Sequence, residues 1–343
     1  MTVSEDLTSR LAQGRRLTDD EIGSLAESHD IITIGMMADE VRRRLHGTRT
    51  TFLRVADVPA ASGGLTSWPS AAGEVRIVGT PLSRKAAVDR VRQVKTLAKG
   101  TPVSGFSLPE LERLAAGEGV TLRSLLEELQ AAGLELVADA AFDQLEDPKR
   151  SIEEVNISGL ALARLTIHQL PSSDMPVLFR AVAGLQRRVA VIRAFAPLPR
   201  AFNPAVPTTG YDDVKRVALA RLIVHNIASI QVDWSRYGPK LAQVALTVGA
   251  DDVDAVSPED ETGEGRRRAP LEEIRRNIRA ASQEPVERNG RFEILDRPGE
   301  DPNRGPADLS AEAPRVKAEA GSHGPGTPGP HGNGTTERLN AKG

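Results

Sequence analysis

The chain has 343 residues, 39% of them hydrophobic but only 3% aromatic, so any core must be built mainly from Ala, Val, Leu and Ile. A net charge of −3 gives no global attraction to nucleic acid or to an anionic membrane. The absence of cysteine excludes disulfides, thiolate metal sites and cysteine nucleophiles.

In chain order, the first segment is helical in pattern. In LTDDEIGSLAES, Thr18 is an N-cap with Glu21 three residues on, a capping box, and Ile31 to Leu45 reads as a further helix ended by Gly47. The N-terminus carries early acids and no apolar run, so it does not read as a secretory signal. No stretch approaches the ~20 apolar residues of a membrane span, and a soluble cytoplasmic protein is expected. Short apolar runs then alternate with helical patterns. Thr50–Val58, Glu74–Gly79, Pro102–Ser107, Leu134–Ala140, Arg164–Gln169, Arg188–Pro197, Ser229–Trp234 and Asp251–Ala255 read as strands. Arg84–Gly100, Leu122–Gly133, Met175–Gln186, Asp212–Asn226, Gly238–Val248 and Leu271–Ala281 read as helices between them.

That alternation over ~250 residues predicts a parallel α/β fold of the (β/α)8 type. Two connections fit poorly. Ala60–Gly73 is a small-residue loop where the first crossover helix belongs, and Asp143–Gly159 is weakly patterned. The expectation is therefore a degenerate or partly open TIM-type barrel over residues 48–295, preceded by a helical segment at 1–47. Residues 296–343, rich in Pro, Gly and charge, are expected to be a disordered tail.

Few residues carry a chemical signal. Asp251, Asp252 and Asp254 lie in the last predicted strand, placed by this reading at its end. There a barrel presents its active face, so they are candidates for holding a ligand, with a solvated acidic run as the other reading. Asp212 is a helix N-cap candidate. His168 and His225 have no second histidine at ligand spacing, so no metal site is expected. Arg236 and Lys240 flank a strand-to-helix turn where an anion could sit. Walker-type, G-x-G-x-x-G, G-x-S-x-G and H-E-x-x-H motifs are all missing.

Three segments carry a resemblance: TGYDDVKRVALARLIVHNI, IQVDWSRYGPKLAQVALTVGADDVDA and PVERNGRFEIL. Weaker support comes from GRRLTDDEIGSLAES, EVRIVG, SGFSLPELERLA and FAPLP. Together they resemble the radical S-adenosylmethionine enzymes of futalosine-dependent menaquinone biosynthesis, aminofutalosine synthase above all and FO synthase more distantly. The resemblance implies a barrel whose C-x3-C-x2-C triad holds a [4Fe–4S] cluster that cleaves S-adenosylmethionine. Here PAASGGLTSWPSAAG stands where the triad and its helix belong, and no cysteine replaces it. The family's strand-end Gly-Gly is Gly79–Thr80, and Glu110 falls on a glutamate of the family's site. Gly79 and Glu110 are thus residual pocket candidates by resemblance, while Glu110 at a helix start also has the helix dipole to explain it. The implied reading is a non-catalytic paralogue with no cofactor, pairing with or regulating an active futalosine-pathway enzyme. The alternative is a cluster-independent protein binding a futalosine-like nucleoside or an aryl acid in the residual barrel pocket.

Overall fold

The computed structural model describes residues 3–61, 63, 67–169, 175–201, 209–259 and 269–295. The expected disordered tail lies outside them. Three helices come first: α1 (Val3–Ala12), α2 (Asp19–Glu27) and α3 (Ile31–His46). The Thr18 capping box forms as its sequence requires, with Glu21 N donating to Thr18 Oγ1 and Thr18 N to Glu21 Oε2 at 2.7 Å.

Strands and helices then alternate: β1 (Arg49–Pro59), β2 (Glu74–Val78), α4 (Arg84–Ala98), β3 (Val103–Ser107), α5 (Leu108–Gly117), α6 (Leu122–Ala132) and β4 (Leu136–Ala141). The second half comprises α7 (Pro148–Ile157), β5 (Ala161–Leu162), β6 (Leu165–Ile167), α8 (Met175–Val189), β7 (Ala194–Pro199), α9 (Gly210–Ile223), β8 (Ser229–Asp233), α10 (Trp234–Leu246), β9 (Asp252–Val256), α11 (Pro270–Ala280) and β10 (Glu284–Arg288).

All named strand pairings are parallel. The order β1-β2-β3-β4-β6-β7-β8-β9 returns to β1 through Thr51↔Asp252 and Phe52↔Val253, so the barrel is closed rather than partly open. The fifth stave is split: β5 pairs the start of β4 and β6 pairs its end. β10 lies beside the first half of β1, below the point where β2 joins the second half.

Closure without the first crossover helix follows from what fills its place. Ala60, Ala71 and Ala72 are buried, and Trp68 packs against the core. Arg90 on α4 donates to Pro59 O at 2.8 Å and Gly63 O at 3.1 Å, pinning the loop to the next helix. Gly73 crosses so tightly that a Cβ there would sit 2.9 Å from Arg288 O and 3.2 Å from the Leu53 side chain. The N-terminal helices cover a different flank, with α3 packed on α9.

Two expectations change. The strand predicted over Arg188–Pro197 begins only at Ala194, because α8 runs on to Val189. Ala190 then turns with φ +56°, and the Gln186 side chain both accepts from Ile192 N and donates to Ile192 O at 3.0 Å, fixing the corner. The weakly patterned Asp143–Gly159 contains α7, whose apolar face shows only Ile152 and Val155 buried. Its start is set by Asp147 accepting from Arg150 N at 3.1 Å, with Pro148 in the first turn.

Candidate functional site in the barrel interior

Strand alternation sorts the barrel residues. Val75, Ile77, Val103, Leu165, Ile167, Ile230, Val232 and Val253 belong to the apolar core under the helices. Their neighbours Glu74, Arg76, Ser104, Arg164, Thr166, Gln231, Asp252 and Asp254 are buried too, yet polar or charged. A period of two sends them to the other face, the barrel interior. A charge there must be paired, since an isolated buried ion is too costly.

The pairing forms layers. At the N-terminal end, Asp252 accepts from Arg288 Nε and Nη2, both at 2.7 Å, from Gln231 Nε2 at 2.6 Å, and from Thr51 Oγ1. Arg288 also stacks on Phe292, 4.0 Å from the ring centre. Beside it, Arg54 Nε donates to Glu287 Oε1 at 2.9 Å. In the middle layer, Glu74 accepts from Ser104 Oγ at 2.6 Å and Arg76 Nε at 2.8 Å. Arg76 reaches across β1 to Asp254 with two bonds, at 3.0 and 2.9 Å. Arg164 Nη1 donates to the same carboxylate from the opposite wall. One carboxylate thus serves two guanidiniums at the centre of the barrel.

The electrostatics follow. Burial raises the Asp254 carboxyl, but the charges of Arg164 and Arg76 outweigh that and hold it well below the ordinary carboxylate range. Burial also opposes the charge on Arg76, which Asp254 and Glu74 together more than restore. Arg164 is less well compensated: burial, and then the like charge of Arg76, pull it below the ordinary guanidinium range.

At the C-terminal mouth, Arg200 donates to Asp233 Oδ2 at 3.0 Å and lies 3.8 Å from Asp139. Asp233 also caps α10 by accepting from Arg236 N at 3.0 Å. Asp57, on β1, reaches solvent at this mouth, although the surrounding protein pushes its carboxyl upward by burial.

The residues singled out from sequence fall in several places. Asp252 begins β9, with Asp251 just before it, so they do not stand at the strand's C-terminal end as expected. Asp251 is buried and bound by Arg221, by Ser229 Oγ at 2.7 Å and by Ile230 N at 2.8 Å. Burial raises its carboxyl, but His46 and Arg221 hold it below the ordinary value. Asp252 and Asp254 reach the interior, where they hold arginines and are not displayed to solvent. Gly79 turns the chain after β2 with φ +92°, and a Cβ there would meet nothing within 4 Å. Glu110 opens α5 and accepts from Thr80 Oγ1 at 2.7 Å in an exposed position, so the two resemblance-derived candidates do share one part of the mouth. Thr209, not Asp212, is the N-cap of α9; Asp212 is the third helical residue, closing a capping box. Arg236 N is taken by Asp233, and α10 begins at Trp234 rather than at Gly238, so the turn between Arg236 and Lys240 is a kink at Gly238 inside the helix and not its N-terminus. His225 is held below the ordinary imidazole range by burial first and then by Arg16.

Sequence reasoning missed Arg76, Arg164, Glu74 and Arg288, the framework of the interior. A signal existed: EVRIV and LARLTI place charged or polar residues at alternate positions inside apolar segments, a pattern that demands a polar interior. A [4Fe–4S] cluster does not fit these donors, because the chain has no thiolate and, among the described residues, no cluster of three or more His, Asp or Glu could hold a metal ion.

Comparison with known proteins agrees with the resemblance read from the sequence. Residues 199–300 match the family described as the CofH/MqnC C-terminal region. Over 88% of its length the chain is 25% identical to aminodeoxyfutalosine synthase of Streptomyces coelicolor, covering 97% of that protein. It is 24% identical to the Thermus thermophilus protein of the same name, over 83% of this chain and 94% of that one. To 5-amino-6-(D-ribitylamino)uracil–L-tyrosine 4-hydroxyphenyl transferase of Methanosphaerula palustris it is 26% identical, over 76% of this chain and 88% of that one. In structure it is similar to methylornithine synthase, with a TM-score of 0.60 at 13% identity, covering 82% of this chain and 97% of that one. It is also similar to the hydrogenase maturase HydG of Carboxydothermus hydrogenoformans, with a TM-score of 0.57 at 12% identity, covering 82% and 79%. These structural likenesses establish the barrel fold. In sequence the chain is similar to aminodeoxyfutalosine synthases and, over residues 199–300, to the CofH/MqnC C-terminal region, and it contains no cysteine.

Proposed function

We propose that this chain is a non-catalytic paralogue of aminofutalosine synthase. On this reading it acts as an interaction or regulatory partner of an active enzyme of menaquinone biosynthesis. The observation that carries the reading is the lack of any thiolate together with an interior bridged by arginines. No cysteine is present, while the barrel interior is spanned by the Arg76–Asp254–Arg164 bridge. A framework that ties opposite walls of the barrel together favours a scaffold role.

An outward surface suits such a role. On α3, Ile32 and Met36 are 73% and 65% exposed, an i, i+4 apolar pair. Other residues of α3, Ile34 and Met37, line a separate cleft of about 410 Å³ together with Leu7, Leu25, Asp20 and Asp30.

Three measurements test the proposal. Anaerobic reconstitution with iron and sulfide should give no stoichiometric cluster absorbance; a full [4Fe–4S] signal would overturn it. Affinity capture of the native protein should co-purify a futalosine-pathway enzyme, and deletion should lower menaquinone. Failure of both would remove the pathway role.

A second reading has its own support: the barrel binds a small molecule, such as a futalosine-like nucleoside or an aryl acid. Arg164 and Thr166 leave polar groups unpaired inside the barrel. A ligand at 100 times its dissociation constant would stabilise the fold by about 2.7 kcal/mol, readable by differential scanning fluorimetry. The absence of any shift with these compounds would count against it.

A further inference from the structure

The interior ion pairs are nearly all complete, and β6 provides the exception. Arg164 is 3% exposed and Thr166 is fully buried, yet Arg164 Nε and Thr166 Oγ1 have no hydrogen-bond partner among the described residues. Arg164 uses only Nη1, on Asp254. Its Nε–Nη2 side, the edge whose two parallel N–H groups match the two oxygens of a carboxylate, is unused. Thr166 lies two residues on, inside β6, while Arg164 stands just before that strand, in the break after β5; the two-residue spacing places both on the interior face.

The walls beside the pair carry small side chains. The residues level with Thr166 on the adjoining strands are Ala141 on β4 and Ala196 on β7, both too small to reach across. The charge count agrees. The single carboxylate of Asp254 is divided between Arg76 and Arg164, and Arg76 alone has a second acid, Glu74. Arg164 is therefore the member of the framework that hydrogen-bonds a single, shared acid; burial, and then the like charge of Arg76, lower its affinity for its proton. Leaving two buried donors unmet costs stability, and native interiors seldom do so without a reason.

We infer that the Nε–Nη2 edge of Arg164 and the hydroxyl of Thr166 form a binding subsite for the carboxylate of a small organic acid, entered from the C-terminal mouth of the barrel. Arg164 takes both carboxylate oxygens, and Thr166 Oγ1 donates to the outer one. Ala141 and Ala196 leave room for the remainder of the acid, and Arg200 stands at the exit, paired with Asp233. The inference rests on the small-molecule reading of the barrel and narrows it to one chemical class and one wall. It does not depend on whether the chain pairs with another enzyme.

The test uses the full chain, labelled with 15N, titrated with sodium acetate and sodium benzoate against sodium chloride at matched ionic strength. The Arg164 Nε–H resonance is identified by its loss in Arg164→Lys. It should shift saturably with the carboxylates and not with chloride. In Thr166→Val, saturation should require about tenfold more carboxylate, the effect of one lost hydrogen bond to a charged group. A linear shift, an equal response to chloride, or unchanged binding by Thr166→Val would overturn the inference.

Unliganded Thr166→Val supplies a second readout. Because the hydroxyl has no partner, its removal should leave the urea midpoint unchanged or raise it. A lowered midpoint, or a crystal grown in acetate in which a lone water bridges the two groups, would show that the donors are already satisfied and would overturn the subsite. Failure of carboxylate binding alone would leave nucleoside binding, read by fluorimetry, still open to its own test.

Discussion

Asp254→Asn is the most informative single change. The side chain is 1% exposed and holds Arg76 through two bonds, at 2.9 and 3.0 Å, while also accepting from Arg164. The amide keeps the volume but removes the charge. Two guanidiniums then remain buried, with Glu74 the one acid hydrogen-bonded to either of them. Breaking a buried pair by removing one partner costs about 3–5 kcal/mol, because an uncompensated charge stays behind. With a urea m-value of about 2–3 kcal/mol/M, the midpoint should fall by about 1–2 M. Arg164→Met should cost less, since Asp254 retains its bidentate bond to Arg76 and the unpaired Nε is removed along with the charge. The double variant should recover part of the loss of Asp254→Asn, as one of the two stranded cations is gone. Equilibrium urea unfolding followed by circular dichroism measures all three. If Arg164→Met were as damaging as Asp254→Asn, or if the double variant were merely additive, Asp254 would not be the shared counter-ion described here.

Other consequences can be measured separately. Asp254 and Asp251 have folded-state pKa values below their unfolded ones. Their contribution to stability is therefore fully present above the unfolded carboxyl value of ~3.9 and is lost as pH falls below it. The urea midpoint should thus hold steady from neutral pH down to about pH 5 and then decline; a decline beginning at neutral pH would point to other groups. Gly249→Ala should destabilise by at least ~1 kcal/mol, because φ is +115° and the new Cβ would lie 2.8 Å from Arg221 Cβ, beside the Arg221–Asp251 pair. Thr209→Ala should cost about 0.5–2 kcal/mol in thermal or urea unfolding by removing the α9 capping box. Trp68→Ala should lower stability by up to ~3 kcal/mol and increase binding of a hydrophobic dye, if the loop after β1 does stand in for the absent helix.

The period-two and period-3.6 patterns along the chain determine which segments are strands and which are helices. Local chemistry sets several ends: the Thr18 box for α2, and Gly47 after α3. The absence of cysteine likewise determines, without any coordinates, that no thiolate can hold a cluster. Where local signals were thin, tertiary contacts decided. The Gln186 side chain and the turn at Ala190 separate α8 from β7, and Ile152 with Val155 give α7 too small an apolar face to be read from pattern alone. Closure was also outside the reach of the sequence, because it depends on how Trp68, Gly73 and β10 pack around the lower half of β1.

The candidate site divides in the same way. Glu110 and Thr80 meet at the mouth, but Asp251, Asp252 and Asp254 have different partners although they lie within four residues of one another. Sequence alone determined that charged side chains stand at alternate positions in β2 and β9 and around β6, and so must enter the barrel. Only the tertiary structure decided which charges meet, because Arg76, Arg164 and Asp254 are far apart in the chain and are brought together by ring closure. The same closure leaves Arg164 with one edge free.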